Sequence, residues 1–250
     1  MTGGGLARGG SLFEQGIARA GYELVPRAYK KPSPEDVLIL WNRHKHMEAI
    51  ARDYERVGAR VVVAENGYFS RDPAGRKYYA LSIGHHVGAG KWIEGGPERW
   101  DSFGFKVKPW REDGRHILVL PQRGIGEKGI AMPRNWLASA LDRLRHSTKR
   151  PIRIRHHPGP EKSEPYEDLR DAWAAVVWAS SSGLKSMLVG VPVFYDFPDW
   201  VGAPAAKQGL DEIEKPALGD RLPMFRRLAW AQWRAEEIAS GEAFKWLLKS

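Results

Sequence analysis

A glycine-rich segment that follows an apolar run has the spacing of a phosphate-binding loop. Residues 124–129 read GIGEKG, and Gly124 and Gly126 give backbone amides room to approach a phosphate or a sugar. The dinucleotide fingerprint also requires an acidic residue where the next strand ends, and here that strand ends in Arg155 and His156. We therefore expect a phosphate or sugar contact rather than NAD; an ordinary turn between strand and helix is the alternative.

Two further segments place phosphate-binding groups after strand-like runs. His156 and His157 could donate to a nucleotide phosphate, although a histidine pair that caps a turn is the alternative. Ser181 and Ser182 precede a predicted helix whose free amides and dipole favour an anion, and Lys185 adds a positive charge. Helices often begin with serine, so the last feature has a purely structural alternative as well.

Three residues are candidates for taking a proton from an acceptor hydroxyl. Glu65 follows the β-branched run 60–64 and precedes residues 66–67 (Asn-Gly), which predict a tight turn. His85 and His86, flanked by glycines, are rivals for the same role. An acid that stabilises the turn is the alternative interpretation of Glu65.

Basic and aromatic side chains are interleaved in the first half of the chain. Such a mixture could follow a phosphate backbone and stack an everted base, whereas a solvated charged face is the alternative. The candidate acceptor-binding residues are Arg43, His44, Lys45, His46, Tyr68 and Arg71.

The elements that must position these residues alternate between strands and helices. Apolar runs predict strands at 37–41, 60–64, 116–120, 152–155, 174–178 and 191–195, and periodic segments predict helices at 47–57, 135–145, 166–172 and 183–189. This alternation is typical of open, doubly wound parallel sheets, in which ligands bind beyond the carboxyl ends of the strands. Most of the candidate residues follow predicted strands.

Changes in composition and in hydrophobic periodicity along the chain predict its domains. We expect a flexible lead-in at 1–35, a Rossmann-like acceptor domain at 36–105, a Rossmann-like donor domain at 115–222 and two closing helices at 223–250. The net charge of +9 favours a polyanionic partner. The chain has no cysteine, which excludes disulfides, cysteine-ligated metals and thiol nucleophiles. No apolar run is long enough to span a bilayer, so a cytoplasmic protein is expected.

Four segments, in this order, resemble GT-B glycosyltransferases, and most closely the capsule-type group that includes bacterial Kdo transferases. They are 61–69 (VVVAENGYF), the strand before Gln122, 154–158 with its His-Pro, and 178–193 (WASSSGLKSMLVGVPV). The resemblance implies an α/β fold with two Rossmann-like domains facing a cleft, and C-terminal helices that pack across the junction. It also implies that Gln122, His157, Ser181 and Ser182 hold a donor nucleotide, with neighbouring Arg123, while Glu65 lies on the acceptor side.

The charge and this resemblance together predict transfer of a sugar from a nucleotide sugar, a UDP-sugar first, to a hydroxymethylated pyrimidine in double-stranded DNA of phage type. The architecture is similar to that of phage DNA glycosyltransferases, and a phage enzyme would act in the host cytoplasm. The alternatives are transfer to a capsule or envelope saccharide, and a non-catalytic nucleic-acid-binding module. A monomer is expected, no residue is assigned to a metal, and a need for a divalent metal is left open.

Overall fold

The structure is a computed structural model that describes residues 10–25, 31–44, 46–85, 90–126, 128–157 and 163–249. The chain divides into two compact units, one that ends at Gly104 and resumes at Arg226, and one that spans Phe105–Phe225. Within the described ranges, no helix is both long and apolar enough to cross a membrane. The expected cleft, and the packing of the C-terminal helices across the junction, stay predictions.

The first unit is built on a four-stranded mixed sheet. Its elements are α1 (Gly10–Arg19), β1 (Val37–Trp41), α2 (His46–Arg56), β2 (Arg60–Arg71), β3 (Lys77–Ile83), α3 (Glu98–Phe103), β9 (Gln232–Arg234), α7 (Ala235–Ala239) and α8 (Glu242–Leu247). The strand order is β1-β2-β3-β9, with β1 and β2 parallel and the other pairs antiparallel. The predicted β-α-β unit is confirmed. A Rossmann-like first domain was expected; beyond its parallel β1–β2 pair the sheet is instead mixed, because it continues through the antiparallel strands β3 and β9.

Strand β2 differs most from the expectation, because it does not end near Glu65. Residues 65–71 belong to β2, where Glu65 pairs with Ala80 of β3. The predicted turn at residues 66–67 is therefore wrong. Gly67 is buried, and a Cβ there would lie 2.8 Å from the carbonyl oxygen of Tyr78, so this glycine permits close strand contact rather than a turn.

Helices cover both faces of this sheet, because side chains alternate along each strand. Val61 and Val63 of β2 pack with α2 on one face. Val62 packs on the other face with the C-terminal segment and with Phe13 and Ile17 of α1. Helix α1 is therefore part of the core, where sequence analysis expected a flexible lead-in. The C-terminal segment adds a strand as well as helices, where two helices were expected.

The second unit is a doubly wound parallel domain. Its elements are β4 (His116–Val119), α4 (Trp136–Ser147), β5 (Ile152–Ile154), β6 (Ala172–Val177), α5 (Ser181–Leu188), β7 (Val193–Tyr195), a short 3-10 helix (Ala203–Ala205) and β8 (Lys207–Gln208); α6 (Leu222–Ala229) contributes residues to both units. The strand order is β5-β4-β6-β7-β8, and every pair is parallel. This is the flavodoxin-like order, so the predicted parallel fold is confirmed here. The helix expected at 166–172 is instead a series of turns.

Candidate donor site

The strand order of the second unit locates a ligand site without reference to any motif. After β4 the chain passes to β5 on one side, and it later returns to β6 on the other side. Connections therefore leave in opposite directions at the carboxyl ends of β4 and β6, which opens a crevice there. Residues 120–126 follow β4 and residues 178–182 follow β6. The predicted glycine loop and serine turn thus meet at the switch point of the sheet.

Gln122 joins these two connections. The side-chain oxygen Oε1 of Gln122 accepts a hydrogen bond of 3.0 Å from the backbone N–H of Ala179. The backbone N–H of Gln122 donates to the Met132 sulfur at 3.2 Å. A second link runs from the indole N–H of Trp178 to the Ile130 carbonyl, at 2.8 Å. Because Ala179 is buried, its N–H needs the partner that Gln122 supplies.

The glycine loop has a backbone that only glycine adopts readily. Gly124, Gly126 and Gly129 have φ values of +65°, +142° and +96°. The value at Gly126 lies where side chains are almost excluded. A Cβ at Gly124 would also lie 2.9 Å from the Met132 carbonyl oxygen. These glycines therefore set the path of the loop, which keeps its outer face exposed around Arg123.

Helix α5 begins at the same edge, and Ser180 caps it. The Ser180 hydroxyl accepts a hydrogen bond of 3.1 Å from the N–H of Ser182, and the Ser180 carbonyl accepts one from Gly183. Gly183 allows the helix to approach Trp200, because a Cβ there would lie 2.8 Å from the indole. The positive end of the helix dipole is thus fixed beside Gln122 and Ala179, where an anion is favoured.

Lys185 and Arg155 bring positive charge to this region, and both have partners in the structure. The Lys185 ammonium is buried and lies 2.6 Å from a carboxylate oxygen of Glu164. Arg155 donates to the Asp168 carboxylate at 2.6 Å and to the hydroxyl and carbonyl of Ser163. Because Ser163 and Glu164 are consecutive, the two cations hold one segment at the carboxyl end of β5.

His157 is electrostatically linked to the glycine loop. Burial lowers its pKa, and the positive charges of Arg123 and Arg155 lower it further, which favours the neutral imidazole at pH 7. His157 therefore suits a hydrogen-bonding role better than a charge-neutralising one. Both His157 and the neighbouring His156 are exposed side chains, so the desolvation of His157 is partial. Seven of the predicted donor residues therefore lie on the two connections and the start of α5, and His156 and His157 lie beyond the end of β5.

Glu65 lies at the end of the parallel part of the first sheet. Strand β1 ends at Trp41, which pairs with Ala64, so Glu65 is the first residue of β2 beyond its parallel neighbour. Glu65 lies on the same face of β2 as Val63 and is half-buried. This edge is the one at which α/β sheets bind ligands. The rival His85 is 5% exposed, and His86 lies outside the described residues.

Two of the predicted acceptor residues, Arg43 and Tyr68, are buried in the first unit. Arg43 is buried, and its guanidinium donates to the carboxylates of Glu48 and Glu55 at 2.6–2.9 Å. Burial alone would lower the pKa of Arg43, but these hydrogen bonds and charges outweigh it and raise that pKa. Tyr68 is 1% exposed and contacts Trp92, so it has no face for an everted base. Neither side chain therefore offers an exposed surface to an acceptor in this structure.

The other predicted acceptor residues are scattered. His46 is exposed at the start of α2, His44 is half-buried, and Lys45 lies outside the described residues. Arg71 is exposed at the end of β2 and donates to the Gly75 carbonyl at 2.6 Å.

Sequence reasoning missed Glu164 and Trp178 as parts of the site. Glu164 has no motif, because its role depends on an ion pair with a lysine 21 residues away. Trp178 is the first residue of the serine-containing segment 178–193, but its hydrogen bond to the Ile130 carbonyl depends on tertiary contact. Among the described residues, no group of three or more histidines, aspartates and glutamates is arranged to hold a metal ion.

Comparisons with solved structures identify proteins that share this fold. No protein-family model and no curated protein sequence matches the chain. The chain is similar to Thermosulfurimonas dismutans KpsC, beta Kdo 2,7 transferase, with 14% identity and a TM-score of 0.51 over 84% of this chain and 85% of that chain. It is also similar to Thermosulfurimonas dismutans KpsC, beta Kdo 2,4 transferase, with 12% identity and a TM-score of 0.51 over 78% and 80% of the two chains.

These likenesses show a shared fold. The expected resemblance to Kdo transferases is confirmed at that level. The resemblance to phage DNA glycosyltransferases stays a prediction.

Proposed function

We propose that this protein is a glycosyltransferase that binds a nucleotide sugar at the switch point of its second unit. The observation that carries the proposal is the meeting of the Gln122 loop and the start of α5 at the carboxyl ends of β4 and β6. The fold is shared with two proteins described as Kdo transferases, which supports the class of reaction. The particular nucleotide, with a UDP-sugar as the first candidate, is part of the proposal.

The donor diphosphate has three sources of stabilisation at this site. The positive end of the α5 dipole, fixed by the Ser180 cap, attracts the phosphates. The exposed Arg123 supplies mobile charge, and neutral His157 offers a hydrogen bond. The nucleoside diphosphate leaves with negative charge as the sugar is transferred, so these groups act most strongly in the transition state. In this proposal Gln122 positions the two connections.

Glu65 is the proposed general base. An acceptor hydroxyl has a high pKa, so a carboxylate within hydrogen-bond reach must take its proton as the anomeric carbon is attacked. The hydroxyl oxygen forms the new bond to that carbon, the bond from carbon to the diphosphate breaks, and the diphosphate keeps the electron pair. Glu65 is half-buried at the carboxyl end of the parallel strand pair, with its neighbour Ala64 in the core.

We favour a saccharide as the acceptor over hydroxymethylated DNA. Two residues that supported a DNA surface, Arg43 and Tyr68, are committed to the interior of the first unit. A groove for DNA would need exposed cations along the phosphate path and an accessible ring for the everted base. The two similar structures are named as transferases of Kdo, a sugar, which favours a saccharide as the acceptor.

A transfer assay with labelled nucleotide sugars tests the proposal. The purified chain is incubated with a panel of uridine, cytidine, guanosine and thymidine nucleotide sugars. Separate reactions contain an acidic oligosaccharide, a neutral oligosaccharide, and DNA with or without 5-hydroxymethyl pyrimidines. We expect label in a saccharide product. Label in the hydroxymethylated DNA alone would show that DNA is the acceptor. Absence of both turnover and donor binding with every nucleotide sugar would refute the proposal that the protein is a glycosyltransferase.

The base is tested by Glu65→Gln, which keeps the shape of the side chain and removes its basicity. We expect turnover to fall by roughly 10²–10⁴ while donor affinity is retained. Glu35→Gln is the matched control, because Glu35 is an exposed carboxylate in the turn before β1. Equal turnover of Glu65→Gln and the control would show that Glu65 is not the base.

A further inference from the structure

Three tryptophans of the first unit line an open pocket that the donor site does not use. The pocket has a volume of about 410 Å³, which lies within the size range of small-molecule sites. Trp230, Trp233 and Trp246 form its aromatic part, and Glu242 and Lys245 of α8 are among its polar lining residues. Such a mixture of aromatic and polar groups can contact both the apolar and the hydroxylated parts of a ligand.

The aromatic wall of this pocket is held rigidly. Trp230 and Trp246 stack with centroids 4.3 Å apart, and their indole N–H groups donate to the carbonyls of Gly96 and Ile93 at 2.8 and 3.0 Å. Arg99 lies 3.9 Å from the centroid of the Trp233 ring. Rings fixed in this way lose little conformational entropy when a ligand binds.

Trp233 contributes a polar group that the fold leaves unused. Its side chain is 1% exposed, and its indole N–H is buried with no hydrogen-bond partner among the described residues. A buried donor without a partner carries a free-energy cost. This nitrogen has almost no accessible surface, so a ligand would reach the ring of Trp233 but not its N–H in this conformation.

The side chain of Lys249 lies over the face of Trp246 that does not stack on Trp230. The Lys249 ammonium lies 3.9 Å from the ring centroid, and Lys249 is an exposed residue near the end of the chain. Because Trp230 occupies one face of Trp246, the ammonium lies over the other. A ligand ring could take that position while the ammonium turns to meet a negative charge on the ligand.

The geometry points to this tryptophan pocket as a subsite for one acidic pyranose unit of a saccharide acceptor, an inference that rests on the proposed function. The C–H face of a pyranose packs on the negative face of an aromatic ring, here that of Trp246. A sugar carboxylate would pair with Lys245 and Lys249, while hydroxyls would donate to Glu242. Nucleic acid fits less well, because Glu242 would repel a phosphate backbone and the lining offers no continuous row of cations.

Calorimetric titration in the absence of any donor tests the subsite. The probes are tetragalacturonate, maltotetraose and a short oligothymidylate, each titrated into the full chain. We expect tetragalacturonate to bind most tightly, and Trp246→Ala to weaken its binding by about tenfold while Trp246→Phe retains most of it. Lys249→Gln should weaken tetragalacturonate two- to fivefold and leave maltotetraose unchanged, at roughly the strength of an exposed ion pair. Lys31→Gln, an exposed lysine outside the lining, is the matched control.

The outcomes separate this inference from the proposed function. Nucleotide-sugar binding is titrated on the same folded variants, and we expect it to be unchanged. If Trp246→Ala binds tetragalacturonate as the wild type does, or if oligothymidylate binds more tightly than tetragalacturonate, the subsite is wrong even though donor binding persists. If the wild type binds tetragalacturonate through Trp246 but no nucleotide sugar, the proposed transferase activity fails and the pocket stands as a saccharide site alone.

Discussion

Replacement of Glu164 by glutamine should weaken the apoprotein and strengthen donor binding. The Lys185 side chain is 9% exposed and its partner Glu164 is 48% exposed, with 2.6 Å between their charged atoms. A fully buried lysine that loses its partner costs several kcal/mol, but partial solvation of this pair reduces the cost to about 1 kcal/mol. With Glu164→Gln, Lys185 no longer has a competing carboxylate and can pair with the donor diphosphate. We expect donor affinity to rise two- to fivefold, which corresponds to about 0.4–1 kcal/mol.

Thermal unfolding without ligand and calorimetric titration with the best nucleotide sugar measure the two effects separately. Glu167→Gln is the matched control, because Glu167 forms an exposed ion pair with Arg170 on the same segment. We expect that control to change neither quantity appreciably. Lys185→Met should abolish the gain when it is combined with Glu164→Gln. A Glu164→Gln variant that binds the nucleotide sugar more weakly than wild type would refute the view that Glu164 competes with the diphosphate.

Three more predictions concern the loop, the imidazole and the buried ion network. Gly126→Ala should weaken donor binding and cost about 1–3 kcal/mol of stability, because φ is +142° there; denaturant unfolding and calorimetry measure both, and wild-type values for both would contradict the strain argument. Arg123→Ala should raise the depressed pKa of His157, which an NMR titration of the imidazole reports, and an unchanged pKa would show that this charge is not a cause. The hydrogen bond from Arg43 lowers the pKa of Glu48 from 4.5 to about 2, so wild type should lose up to about 3 kcal/mol of stability as pH falls through that window. Glu48→Gln should lack most of this loss in urea unfolding at each pH, and an equal loss in both proteins would contradict the assignment.

The second unit was predictable from sequence because its central strands β4, β6 and β7 are buried. Continuous apolar runs such as 116–120 and 191–195 are typical of parallel strands. Since ligand sites in such sheets lie at the carboxyl ends, strand identity nearly determines the location of the site. The strand order, which places the switch point between β4 and β6, depends on pairings that periodicity cannot reveal.

The first unit was less predictable because tertiary contacts override its local signals. Residues 66–67 have the sequence of a tight turn, yet Gly67 lies within β2 against the backbone of Tyr78. The three residues of β9 are too short to show a period, although they extend the sheet. Arg43 stands in a basic run, and only the packing of α2 brings Glu48 and Glu55 to it. A charge pattern alone therefore does not separate a binding surface from an internal ion network.

Amide hydrogen exchange with and without the best nucleotide sugar tests the central claim most directly, since it reports where the donor binds. We predict that the nucleotide sugar slows amide exchange at residues 122–126 and 180–185, which flank the switch point of the second sheet. Amides of β1 and α2 in the first unit should exchange at unchanged rates in the same samples. Protection confined to the first unit would contradict a donor site on the second unit, and absence of protection with every nucleotide sugar of the panel would contradict the proposed donor class.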